Sequence, residues 1–249
     1  MSRLKAFSIH ITMSAIIAAA VFVLMLLLWY KPPLFSAVGG QQVLLILLGV
    51  DVSLGPLITL IIFDPQKSRK ALTFDLAVIC ILQISALIYG VNVVFQARPA
   101  FIVFSKNSFD LVTANMLSKE DIARARYPNY RSLPLTGPLY VYSELPTNLK
   151  ERYEVVLGAF SGKDLPQFPQ YYMPYADHMA AAGRAAKSIA ELKKLNPNRT
   201  AEIDNAVRSS GQTEAELGFV PLRAKYQDQV VVLKKKDGKV LEMLQMHPW

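Results

Sequence analysis

The sequence predicts a membrane-embedded all-α bundle of three transmembrane helices, followed by a soluble α+β domain with an antiparallel sheet. Of the 249 residues 52% are apolar and mean hydropathy is +0.26, yet the apolar excess is concentrated before residue 97. That region holds three runs long enough to cross a hydrocarbon layer of about 30 Å. Residues 98–249 have an ordinary soluble composition and are numerous enough to bury a core of their own.

The first run, residues 7–30, follows Arg3 and Lys5 and ends in Trp29-Tyr30-Lys31-Pro32-Pro33. It exceeds the apolar core of a secretory signal, about 7–15 residues, and no small-residue cleavage site follows, so it reads as a retained helix. The Trp-Tyr pair suits a membrane surface. The second run, residues 43–63, contains Asp51; the third, residues 72–95, carries Asp75 near its start. Lys67, Arg69 and Lys70 lie between them, on the side that holds Arg3 and Lys5 after two crossings. The other short loop has only Lys31. The positive-inside rule therefore puts the N-terminus in the cytoplasm and everything after Arg98 outside it.

Asp51 needs an explanation, because a carboxylate in lipid costs several kcal/mol unless it meets a partner or water, or stays protonated. On an antiparallel neighbour its depth matches Tyr89, with Asn92 one turn outward, so hydrogen bonding to either is expected. Gly90 allows close approach at that level. Two readings stand: a polar clamp between helices, or a contact for another membrane helix. A proton pathway would need further acidic groups. Gly55-Pro56 should kink the same helix and open a groove on one face.

In the soluble part, residues 100–104 and 109–114 read as strands joined at Lys106-Asn107-Ser108. Ser118 with Asp121 is a helix-start signal. Residues 127–138 form a proline-broken loop, and residues 139–142 a third strand. Residues 148–160 predict a helix on which Leu149, Tyr153, Val156, Leu157 and Phe160 form one apolar stripe. The proline- and tyrosine-rich segment 165–175 is either a loop folded over the core or a recognition surface through Tyr171, Tyr172 and Tyr175. An alanine-rich helix is expected over 177–195, and another from Thr200 to near Gly211. Strands at 219–224, 229–235 and 239–246, with a turn at Asp237-Gly238, complete an antiparallel meander with helices on one face.

Chemistry is sparse. Cys80 is the single cysteine, so no internal disulfide forms, and His10, His178 and His247 have no metal-ligand spacing. Neither a phosphate loop nor a nucleophile elbow occurs. From Arg98 onward 21 basic and 16 acidic residues leave a dispersed +5, without the basic, aromatic-interleaved face that nucleic acid needs. No enzyme, cofactor or metal is expected.

The chain resembles the TfpX/TfpZ-type type IV pilin accessory proteins of Gram-negative bacteria. The likeness is carried by Asp51-Val52-Ser53-Leu54-Gly55-Pro56-Leu57-Ile58-Thr59-Leu60, by Lys67-Ser68-Arg69-Lys70 with Asp75, by Gln83, by Ala86-Leu87-Ile88-Tyr89-Gly90 and by Ala97-Arg98-Pro99-Ala100. The segment from Leu165 to Tyr175 and the terminal Pro248-Trp249 extend it. The resemblance implies an inner-membrane protein with a periplasmic domain that assists a cognate pilin, as a pilin-specific chaperone or modulator. Its partners would be the major pilin, membrane lipid and the pilus assembly machinery. Asp51, Pro56, Tyr89 and Asn92 would then touch the pilin's membrane helix, and Tyr171, Tyr172 and Tyr175 its head. The family has no assigned catalytic residues. The alternative is a membrane-anchored ligand-binding or sensor protein.

Overall fold

Ser2 caps a 26-residue helix, α1 (Arg3–Leu28), by accepting the Lys5 amide hydrogen on its side chain. The computed structural model describes residues 2–249, with the side chains of Val43, Ile46, Leu47, Leu48, Val50 and Asp51 outside the described set. A short turn of helix, α2 (Leu34–Ala37), follows α1. The chain then runs back through α3 (Gly40–Leu48), a π-helical segment (Gly49–Leu54) and α4 (Gly55–Ile62). Ser68 caps α5 (Arg69–Gln96), which returns to the α2 end. Arg3 lies 3.8 Å from Asp64 and Lys67 2.6 Å from Asp75, closing the opposite end with exposed ion pairs.

Among the described residues, two helices, α1 and α5, are long and apolar enough to cross a membrane, where the sequence predicted three. The expected second helix is helical throughout, but the π-helical segment divides it. Pro56, with no N–H to give and a ring that crowds the preceding turn, sits just after that segment. The widened π-helical turn lies immediately before Gly55-Pro56, where the kink is expected.

The soluble domain begins at the end of α5 with β1 (Pro99–Ser105) and β2 (Ser108–Thr113). After α6 (Lys119–Ala123) comes β3 (Leu139–Ser143), then α7 (Leu149–Phe160) and β4 (Tyr172–Pro174). The alanine-rich stretch is split into α8 (Tyr175–Ala185), β5 (Lys187–Ser188) and α9 (Ile189–Leu195). Last come α10 (Thr200–Ser209), β6 (Leu217–Arg223), β7 (Gln229–Lys234) and β8 (Val240–Leu244).

The sheet is mixed, in the order β4-β3-β1-β2-β6-β7-β8 with β5 on β6, and not the antiparallel sheet expected. Two pairs are parallel, β1 with β3 and β2 with β6. In each case intervening helices carry the chain over a face of the sheet, so it re-enters in the same direction. The expected helix over 177–195 breaks because Lys187 and Ser188 pair with Phe219 and Gly218. Ser188 then caps α9 through the Glu191 amide.

Helices cover both faces, not one. On one face Ile102, Phe104, Phe109, Val220 and Val231 pack beneath α8. On the other, Phe101, Val103 and Val112 pack with Ile122, Tyr130 and Tyr172, while Phe219, Val230 and Val232 meet α9 and α10. Double coverage explains why β1, β6 and β7 are buried along almost their whole length, with no polar alternation.

The apolar stripe of α7 is turned outward. Leu149 is 82% and Phe160 87% exposed, with Tyr153, Val156 and Leu157 also exposed. The helix rests instead on Val155, which packs with Leu165 and Phe168, and on Gly158, where a Cβ would strike the Phe168 ring.

Candidate functional site

Ala6, His10, Ser14 and Ala18 recur every four residues, which places them on one face of α1. Ala6, Ser14 and Ala18 are buried, and small side chains of this kind let two membrane helices approach closely. Thr59 of α4 and Gln83 of α5 complete a polar cluster around the one large member of that face. His10 Nδ1 lies 2.6 Å from Thr59 Oγ1, and His10 Nε2 lies 2.5 Å from Gln83 Oε1. An amide oxygen only accepts, so Nε2 carries a proton; in the neutral ring Nδ1 then accepts the Thr59 hydroxyl hydrogen. One imidazole thereby joins three helices.

Gly55 makes this possible. A Cβ there would stand inside the Gln83 side-chain amide, so only glycine lets Gln83 reach across α4. Gly55 is thus a point of close approach between α4 and α5. The cluster lies on the floor of an apolar groove of about 380 Å³ between α1 and α5, bordered by Ile9, Met13 and Ile17 on one side and Cys80, Ile84 and Leu87 on the other.

The residues singled out from sequence are scattered. Asp51's side chain lies outside the described residues, and so does its expected pairing. Pro56 is buried inside the bundle, where it offers a partner no surface. Tyr89 is 71% exposed and Asn92 is also exposed, both on the outer side of α5. Tyr172 and Tyr175 correct the reading of a recognition surface. Tyr172 is fully buried and donates its hydroxyl to Pro166 O; Tyr175 is buried and donates to Gly238 O at 2.8 Å. Burial pushes both phenols' pKa values up. Tyr171 is half-buried over Phe168. The segment folds down because three aromatic rings gain more from the core than from water.

A second feature is the junction of helices and domain. Leu34 and Ala37 of α2 are members of the domain's core. Trp29 Nε1 donates to Leu135 O at 2.9 Å, Gly137 N to Leu28 O at 2.9 Å and Tyr226 N to Ala37 O at 3.2 Å. Gly39, at φ +75°, leaves room for the Tyr226 ring. The Arg98 guanidinium stacks 3.8 Å above the Phe95 ring and donates to Phe95 O and Pro134 O. From sequence alone residues 31–42 are a plain loop between two helices. The Leu-Phe-Ser-Ala turn is the only signal there, and nothing local says where such a turn docks.

Neither a family model nor a solved structure matches the chain. Curated relatives do. A fimbrial assembly protein of Dichelobacter nodosus, serogroup E1, is 28% identical over 237 residues, 95% of this chain and 92% of the relative. The serogroup I protein of that organism has the same identity and coverage. The protein of serogroups C1 and C2 is 35% identical over 124 residues, half of this chain and 91% of the relative. The chain belongs to the fimbrial assembly protein family. Two matches run through both the membrane helices and the domain, so the likeness extends to the junction that joins them. Among the described residues no group of three or more metal-ligating side chains occurs in this fimbrial assembly family member.

Proposed function

We propose that this fimbrial assembly family member assists type IV fimbriae by stabilising or modulating a cognate fimbrial subunit in the bacterial inner membrane, without catalysis. In this reading α1, the segment from α3 to α4, and α5 make three crossings. The N-terminus is cytoplasmic and the domain periplasmic, in keeping with Arg3, Lys5, Lys67, Arg69 and Lys70 at one end. The fimbrial subunit is the partner; the assembly machinery and lipid are its surroundings.

The observation that carries the proposal is the docking of Leu34 and Ala37 into the domain core, in a chain whose relatives are fimbrial assembly proteins. That docking makes helices and domain one body. A client with a membrane helix and a folded head could then be held at two points in fixed register, which raises effective concentration without any one strong contact. The apolar groove beside His10 suits the membrane helix of such a client.

Deletion of this gene alone tests the reading, with subunit level and surface fimbriae both measured. Loss of fimbriae, restored by the gene in trans, is expected. Unchanged fimbriae would end the proposal.

A further inference from the structure

The α7 stripe is an apolar face of the domain with no partner among the described residues. Leu149 and Phe160, at 82% and 87% exposure, stand almost free in water at its two ends. Tyr153, Val156 and Leu157 connect them on one side of a twelve-residue helix. Contiguous apolar patches of this kind on a soluble face mark docking surfaces.

Position excludes the bilayer as the occupant. β1 leaves the membrane helices at Pro99 and ends at Ser105, a rise of roughly 20 Å. β3 runs parallel to it, and its far end, Ser143, leads into α7. After α7, Asp164 lies 3.9 Å from Lys106 at the β1–β2 turn. Both ends of α7 are therefore tied to the end of the sheet remote from the membrane helices.

Charge excludes a second copy. At 100° per residue, Lys150 and Arg152 border the stripe on its two sides, both exposed and neither in an ion pair among the described residues. The acidic residues of α7 turn away: Glu154 lies 3.9 Å from Arg124, and Glu151 lines a cleft of about 230 Å³ beside the first turn. Two copies meeting through the stripe would set four cations against one another. A surface with an apolar strip bordered by carboxylates is the complement.

We infer that the outward stripe of α7, flanked by Lys150 and Arg152, is where the domain binds the folded head of the fimbrial subunit, through an apolar patch with an acidic border. The inference rests on the proposed function and replaces the buried Tyr172 and Tyr175 as the reading surface.

The test is a photoreactive phenylalanine at position 160 of the full chain in living cells, with the subunit detected by antibody. An adduct with the subunit is expected, and none from position 205 on α10. Leu157→Glu, or Lys150→Glu with Arg152→Glu, should cut adduct yield at least about fivefold, as an interface anchor does, at wild-type protein level, since these side chains lie outside the core. An adduct with a second copy, or no adduct, in a strain whose fimbriae depend on this gene would overturn the docking and leave the assembly role standing. A subunit adduct in a strain whose fimbriae do not depend on it would uphold the contact and overturn that role.

Discussion

Tyr30 donates its phenolic hydrogen to the carbonyl oxygen of Val94, 2.6 Å away, and so ties the end of α1 to the end of α5 directly beneath the domain. Both residues are buried, in one cluster with Met25. Tyr30→Phe should lower stability by about 1 kcal/mol, at the low end for a buried bond, because Val94 O keeps the Ala97 amide as a second donor. Thermal unfolding of the full chain in detergent should show a Tm lower by about 2–4 °C. An unchanged Tm would mean that other contacts hold the junction.

His10→Leu should destabilise the chain, since Thr59 and Gln83 lose their common partner inside an apolar bundle. The expected loss is about 0.6–2 kcal/mol, the range for hydrogen bonds between membrane helices. Replacing all three, His10→Leu with Thr59→Val and Gln83→Leu, should recover part of it, because both hydrogen-bonding groups that face His10 are then removed with it. Additive losses across the three would contradict the shared network.

Gly55→Leu should be harsher than the loss of His10. Its side chain would occupy the place of the Gln83 amide and force α4 and α5 apart, costing about 1–3 kcal/mol. The same substitution at Gly137, where nothing lies near the Cβ position, meets no such obstacle, although its φ of +56° adds backbone strain. Comparing steady-state levels and Tm of both variants separates steric crowding from backbone strain.

Tyr172→Phe should cost about 1–3 kcal/mol by stranding Pro166 O in the core. It should leave subunit binding per folded molecule unchanged. Reduced binding at full protein level would restore that ring to the recognition surface.

Two carboxylates give the domain opposite pH responses. Burial raises the Asp110 pKa above the usual carboxylate range and outweighs the Arg223 guanidinium 2.7 Å away. Asp110 therefore favours folding below its ordinary pKa, and that contribution is lost as pH rises through the raised value. For Asp121 burial acts in the same direction, but Lys163 at 2.5 Å and the Ser118 cap prevail and lower its pKa. Its contribution is present above the ordinary range and is lost as pH falls through the lowered value. Asp121→Asn should thus destabilise by about 1 kcal/mol at neutral pH, and the gap to wild type should shrink in acid. Tm measured against pH for both proteins checks the sign.

Short-range chemistry was legible in the sequence. Ser118 with Asp121, Asn148 before α7, and Asp237-Gly238 between β7 and β8 each act within four residues, and each stands where expected. What escaped depends on distant segments. Strands β2 and β6 pair across about a hundred residues, and no turn signal records that. The α7 periodicity was real, but periodicity shows only that a face is apolar, not what covers it. His10 has no metal-ligand spacing; its place in a four-residue series of small side chains is the informative pattern. Tyr172 and Tyr175 were ambiguous because proline-rich aromatic segments serve loops and cores alike.

The seating of Leu34 and Ala37 in the domain has a consequence for biosynthesis. These two residues emerge from the ribosome about sixty positions before the first strand that receives them. Until that strand arrives they have no core to enter. A chain in which α3 to α5 fail to fold back and return to the α2 end would keep them from the domain, leaving a hole in its core where they belong. Correct packing of the helices thus becomes a condition for a complete, protease-resistant domain.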